Sequence, residues 1–377
     1  MVINMKYRYL FTYSEWLYYI YFSFITIGKA LGLAANNKIL QIMTILAFVM
    51  ILTKLIITKY TRKEIIICLI LGLIGIISYF FTKREGVLLT IITIVSLKNV
   101  PYKRVLCLAF SLRCIIFILL VTLSLTGIIE NVETVHWRDE VGFITRYALG
   151  YDHPNLLHTN FFILVILFIY LFYERLNVIS YILMLGINYF IYTFSISRTG
   201  FYSTILVVIV TIFLKKRLIN KRIFYNICKI AIPFSILFTI ITAFGYNNFE
   251  VIKGLDRLFS GRIFYSNYFL TYYNWNLFGR SLTNDSNLLD NGYVVLMINY
   301  GIVVFLIYVL GYYKVIKKFI KLQMDKELLM ICFFSIYGIT EGFLPNIFLN
   351  LSLIFLSSLI FKINKSIIDY NFEKKKG

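Results

Sequence analysis

Along this chain apolar residues neither alternate strictly with polar ones nor keep to one face of a helix. They gather in long unbroken runs separated by short polar stretches. Such runs match the ~20 residues that a helix needs to cross the hydrocarbon core of a bilayer. About twelve spans are predicted, near residues 16–35, 39–57, 64–81, 86–97, 105–129, 156–173, 178–194, 201–214, 223–245, 293–313, 327–344 and 346–361. Two of them, 86–97 and 201–214, are short for a full crossing. The last two meet at Leu344-Pro345-Asn346, where proline predicts a tight hairpin rather than one long helix.

The pattern therefore predicts an all-α, polytopic integral membrane protein with a single membrane domain over residues 1–377. Two loops are substantial, 130–155 and 246–292. Composition agrees: 60% of residues are hydrophobic, 15% are charged and the mean hydropathy is +0.80. A soluble domain is roughly 45–50% apolar and about 25% charged. The excess of 38 Lys and Arg over 18 Asp and Glu would suggest nucleic acid on a soluble chain. Here the basic residues are dispersed through short loops, which is a topogenic signal, and no nucleic-acid partner is expected. Cys68, Cys107, Cys114, Cys228 and Cys332 all lie in apolar runs without a second Cys or a His at ligand spacing, so they read as small apolar fillers. The first run follows Lys6 and Arg8 without a small-residue cleavage site and reads as a retained span.

Charge predicts the orientation. With the N-terminus inside, 24 basic residues fall in inner segments and 10 in outer ones, which implies N-in, C-in and an even number of crossings. Seven of the ten outer basic residues are arginine, whereas lysine dominates inside. Orientation needs only positive charge. The arginine preference points to the planar fork that suits phosphate oxygens, or to local pairing with Glu133, Asp139, Glu140, Asp152 and Asp256.

Three outer constellations carry candidate chemistry. The first runs from Arg146 through Gly150 to His153-Pro154-Asn155 at the mouth of a span, where Asn155 also suits a helix N-cap. His158 lies one turn further in. No third ligand stands at metal spacing, so no metal is expected. The second is Ser195-Ile196-Ser197-Arg198-Thr199-Gly200, either a polar cavity wall or an outer turn with a snorkelling arginine. The third spans Asp256, Arg257, Ser260-Gly261-Arg262, Phe278-Gly279-Arg280 and Asp290-Asn291-Gly292-Tyr293. Between them, the aromatics from Phe264 to Trp275 have roughly helical spacing and predict a segment lying on the membrane surface. In the apolar interior, Arg113 and Glu341 are costly unless each meets a partner or a cavity.

The order His-Pro-Asn, Ser-Arg-Thr-Gly, Ser-Gly-Arg with a later Phe-Gly, then Asp-Asn-Gly-Tyr resembles the Wzy-type polysaccharide repeat-unit polymerases, within the O-antigen ligase-related group. The likeness covers about residues 138–341, and the first five spans match in hydropathy alone. Phe278-Gly279-Arg280 lacks the second glycine of many relatives. Asp290-Asn291 stands where ligases commonly carry histidine, which favours a polymerase.

The resemblance implies a glycosyltransferase (capsule or O-antigen polymerase) at the outer face of the bacterial cytoplasmic membrane. Its substrates would be undecaprenyl-pyrophosphate-linked glycans, its surroundings membrane lipids, and its partners a chain-length regulator and a flippase; it implies no cofactor. Arginines suit the leaving pyrophosphate, where charge accumulates. Arg138, Arg146, Asn155, Arg198, Arg262, Arg280 and Asn291 are the expected substrate-binding residues. His153, Asp290 and Glu341 are the candidate bases for the acceptor hydroxyl, with His153 first because its pKa in peptides, about 6.5, suits neutral pH. The bland readings are that Asp290 caps the next span and that Glu341 pairs with an arginine such as Arg198. A lipid-linked oligosaccharide flippase or transporter, using Arg113 in a central cavity, is the competing function, and a ligase-type transferase is the nearer alternative.

Overall fold

The computed structural model describes residues 12–33, 37–138, 142–282 and 288–361. Lys6, Arg8 and the basic residues beyond 361, which weigh on the inner side of the charge balance, lie outside that range. The protein is mostly helical, 73% with 15 helices among the described residues. Among the described residues, seven helices are long and apolar enough to cross a membrane.

The first third holds α1 (Tyr13–Ala30), α2 (Lys38–Ile57), α3 (Arg62–Thr82), α4 (Gly86–Val95) and α5 (Tyr102–Leu125). The starts of α1, α2 and α3 follow from side chains that satisfy the first free backbone amides. Thr12 with Glu15 and Thr61 with Glu64 form reciprocal capping boxes, and Asn37 caps α2. At ~1.5 Å per residue, ten-residue α4 is about half as long as the ~30 Å hydrocarbon core is thick, in keeping with the short span expected at 86–97.

An antiparallel hairpin then interrupts the helices, β1 (Glu133–Arg138) paired with β2 (Gly142–Tyr147). It is a short addition to an otherwise helical chain. The segment is rich in β-branched and aromatic residues (Thr134, Val135, Trp137, Phe143, Ile144, Thr145), and Gly142 takes a left-handed φ of 80° as β2 begins.

The helices resume with α6 (Pro154–Phe172), α7 (Val178–Ser195), α8 (Arg198–Lys215) and α9 (Lys221–Gly245). Predicted as the shorter span 201–214, α8 is long enough to cross. The centre of the bundle is α6: 72% of its apolar window is buried, against 17% for the peripheral α3. Two short helices follow, α10 (Glu250–Leu258) and α11 (Arg262–Tyr272). The second is where the aromatic surface segment was predicted, but it packs on α9. Asn267 Nδ2 donates to the Ala243 carbonyl at 2.8 Å, and Phe269 and Leu270 are buried. Tyr273 and Trp275 lie beyond its end.

The last three predicted spans are all broken. The first consists of α12 (Gly292–Val294), a π-turn at Val295–Asn299 and α13 (Gly301–Lys321). Next, α14 (Asp325–Tyr337) stops well short of residue 344, and residues 338–350 are irregular. A 3₁₀ segment at Leu351–Leu356 then leads to the single turn α15 (Ser357–Ile360).

Irregular backbone inside an apolar bundle needs protein partners for its polar groups, and these are present. Thr90 Oγ1 donates to the Pro345 carbonyl at 2.8 Å and accepts from Ile347 N at 2.9 Å. Asn350 Nδ2 donates to the Leu344 carbonyl at 3.1 Å. From α5, the buried Arg113 donates to Asn160 Oδ1 at 2.7 Å and to the Phe348 carbonyl. Arg113 thus ties α5, α6 and the broken segment together.

Candidate functional site

Arg146 enters the site from β2. It faces Thr134 across the hairpin, and His136 faces Ile144, so Arg146 and His136 share one face of the ribbon. Burial along β2 places that face toward the helices: Arg146 is buried while Phe143 and Thr145 are exposed. The guanidinium donates through Nε to the Ser195 carbonyl at 2.8 Å and through Nη2 to Asn155 Oδ1. Arg138 is the last residue of β1, and its side chain lies outside the described residues.

Asn155 was expected to cap α6, but His153 does so. Its ring Nδ1 accepts from the Asn155 amide at 3.1 Å, and Pro154 takes the first helical position. That frees the Asn155 side chain for Arg146. One turn further in, the fully buried His158 holds Ser195 Oγ at 3.0 Å from Nδ1 and Asn188 Oδ1 at 2.9 Å from Nε2. The glycine of the Ser-Arg-Thr-Gly motif explains how the ring fits, since a Cβ on Gly200 would lie 2.5 Å from it. The motif is therefore a turn docked on α6 by a histidine, which presents the Ser195 carbonyl to Arg146. Arg198 opens α8 and is half-buried.

Arg262 comes from the other large loop. After α10 the chain reverses through Ser260 and Gly261, both left-handed with φ of 55° and 82°, and the Asp256 carboxylate accepts from Ile263 N at 2.8 Å to start α11. Arg262, the first residue of α11, is buried. It donates to the Thr340 carbonyl at 2.6 Å, the Phe259 carbonyl at 3.3 Å and Glu341 Oε1 at 3.1 Å, and pairs with Asp290 Oδ2 at 3.3 Å. Glu341 thus has Arg262 as its ion-pair partner, not Arg198. Asp290 does not cap the next span either. Asn291 does, accepting from Tyr293 N at 3.0 Å and Val294 N at 3.2 Å while its Nδ2 donates to Thr239 at 3.2 Å. Asn291 is buried, and its side-chain oxygen is taken up by the cap. Arg280 braces its own loop, donating to the Asn274 carbonyl at 2.8 Å and lying 5.5 Å from the Tyr273 ring centre.

The two arginines converge on the same ground. The charges of Arg146 and Arg262 both reach His153, and both reach Glu341. His153 and His136 are exposed. Desolvation, then Arg146, Arg262 and His136, hold the His153 pKa below its usual 6.5, so the ring is neutral at pH 7. A neutral ring that accepts at Nδ1 carries its proton on Nε2, and its open nitrogen is a donor. Asp290 is the more open of the two acids, with 43% of its side-chain surface accessible against 13% for Glu341. Surrounding protein nonetheless pushes its carboxyl above the ordinary range, outweighing the opposing pull of Arg262.

His136 was not anticipated from sequence; once 133–147 is read as a hairpin, the two-residue alternation puts it on the face of Arg146. Among the described residues no three His, Cys, Asp or Glu side chains gather as a metal site.

No family model matches this chain. Neither a curated protein nor a solved structure matches it.

Proposed function

We propose that this chain is a membrane glycosyltransferase that joins undecaprenyl-pyrophosphate-linked oligosaccharide units at the outer face of the bacterial cytoplasmic membrane. The observation that carries this reading is the convergence of buried Arg146 and Arg262, from two separate loops, on the more accessible His153 and Asp290. In the proposed reaction a hydroxyl of the acceptor unit attacks the anomeric carbon of the donor. The new C–O bond forms as the bond to pyrophosphate breaks, and the leaving pyrophosphate keeps the electron pair. Asp290 takes the hydroxyl proton. Arg146, Arg262 and the Nε2 proton of His153 face the pyrophosphate oxygens, and Glu341 holds Arg262 in place. Each charge-assisted hydrogen bond contributes about 1.5–3 kcal/mol, so two arginines account for roughly 10²- to 10⁴-fold in rate.

This assignment moves His153 from base to donor. His153→Ala is expected to raise KM for the lipid-linked donor, with a smaller effect on kcat. Asp290→Asn is expected to remove most of kcat and flatten the rise in rate with pH that an elevated carboxyl pKa produces. A His153→Ala enzyme with unchanged KM and collapsed kcat would return the base role to His153.

The full topology, about twelve crossings with both termini inside, belongs to the same proposal. Membrane-impermeant labelling of cysteines introduced at Asn220 and at the C-terminus should fail in intact cells, and labelling at Asn284 should succeed. Outside labelling at Asn220 would put the arginine cluster on the wrong side of the membrane. In a deletion strain, single lipid-linked units should accumulate exposed on the outer face. Units trapped inside would mean a flippase.

A further inference from the structure

The nine-residue α10 carries a pattern that the proposed reaction does not use. At ~100° per residue, Val251, Leu255 and Leu258 fall on one arc, and Glu250, Lys253 and Arg257 fall on the opposite one. Between these arcs, Ile252 and Asp256 face the protein. A Cβ on Gly245 would lie 2.4 Å from Ile252 Cδ1, and Asp256 receives the Ile263 amide. Most of the apolar arc has no such cover: Val251 is 84% exposed, Leu258 59% and the adjoining Phe249 60%, while Leu255 is half-buried. It follows closely in sequence on the exposed face of α9, one of the helices able to cross a membrane, which runs through Ile227, Phe234 and Ile241 to Phe244. Just beyond Phe244 the chain turns into α10.

We infer that α10 is an interfacial helix, seated with Phe249, Val251, Leu255 and Leu258 in the headgroup–acyl boundary of the leaflet at this end of α9. The geometry fits lipid in particular. One flank of α10 is fixed to the protein, the exposed apolar arc begins a few residues after the exposed end of a membrane-spanning helix, and the charged arc lies on the other side, as a helix lying in the membrane plane requires. Lys253, paired with Glu250 at 2.7 Å, and Arg257 then stand at the level of lipid phosphates. Through Asp256 and the Gly261 reversal, this seat is joined directly to Arg262. The inference holds whether or not the chain transfers sugars.

Tryptophan fluorescence tests it. The chain has three tryptophans, Trp16, Trp137 and Trp275. With these changed to Phe and Val251→Trp added, the protein is reconstituted into phosphatidylcholine vesicles brominated at defined acyl depths. The expected emission is blue-shifted and loses most of its intensity in lipids brominated near the top of the chain, less in those brominated near its end. If the background variant does not fold, Leu258→Trp in the native chain, read as a difference from the parent, gives the same comparison. Emission of a water-exposed indole, quenched by aqueous iodide and untouched by bromolipid, would overturn the inference. So would emission that neither quencher reaches, because a protein surface would then be covering the arc.

Discussion

Arg262→Ala is expected to melt earlier and, under the proposed function, to make no polymer. Without the guanidinium, the carboxylates of Asp290 and Glu341 lose the ion-pair partner they share, and the Thr340 and Phe259 carbonyls lose their donor. Removing one partner of a buried ion pair costs about 3–5 kcal/mol. The accessibility of Asp290 places this case at the low end. Adding Glu341→Gln should recover part of the melting temperature and none of the polymer. Arg262→Lys keeps the charge, but one ammonium cannot reach all four oxygens from a flat fork. It should retain most of the stability and lose at least ~10-fold in polymer, the effect of a single charge-assisted hydrogen bond of about 1.5 kcal/mol. Wild-type polymer from Arg262→Lys would reduce Arg262 to a brace.

Gly279→Ala should cost more stability than any other single methyl group added to the second loop. Gly279 has a φ of 80°, and a Cβ there would lie 1.9 Å from the Asn299 carbonyl oxygen. Gly301, with a φ of 83°, meets it from the other side: its Cβ would lie 2.3 Å from Gly279 N. The two glycines let residues 276–280 lie against the start of α13, where Arg280 N donates to the Asn299 carbonyl at 3.0 Å, Ile302 N to Asn276 at 2.9 Å and Val303 N to Leu277 at 3.1 Å. No rotamer relieves a clash with backbone, so the strip must lift and break these bonds. Left-handed strain of about 1–3 kcal/mol with the lost hydrogen bonds gives a destabilisation of about 3 kcal/mol or more. Gly72→Ala, in α3 with open space around it, is the control and should leave the melting temperature close to wild type. Equal stability for the two variants in lipid nanodiscs would contradict the close packing described here.

Hydropathy located α2, α3, α5, α6, α7 and α9 to within a few residues, because a continuous apolar run in a helix leaves little else to decide. It failed at 293–361, where the runs are equally apolar but the backbone breaks. Those breaks depend on side chains far away in sequence, Thr90 on Pro345 and Arg113 on Phe348, which no local window can sense. The hairpin at 133–147 was missed because the expectation of helices hid a two-residue alternation within a polar loop. At the site, the motifs marked the right neighbourhoods while the pairings stayed hidden. Arg262 and Glu341 stand 79 positions apart, so proximity in sequence suggested Arg198 no less than Arg262. The exchange of capping roles between His153 and Asn155 turned on one backbone amide, and it changed which nitrogen of His153 is open.

The most direct test of the central claim is reconstitution of the purified protein alone into liposomes with its undecaprenyl-pyrophosphate-linked repeat unit, without nucleotide sugar, metal or partner. The account predicts a ladder of lipid-linked oligomers with release of undecaprenyl pyrophosphate in step, which Arg146→Lys and Arg262→Lys each sharply reduce. Movement of intact single units across the bilayer, with neither oligomers nor released pyrophosphate, would contradict it.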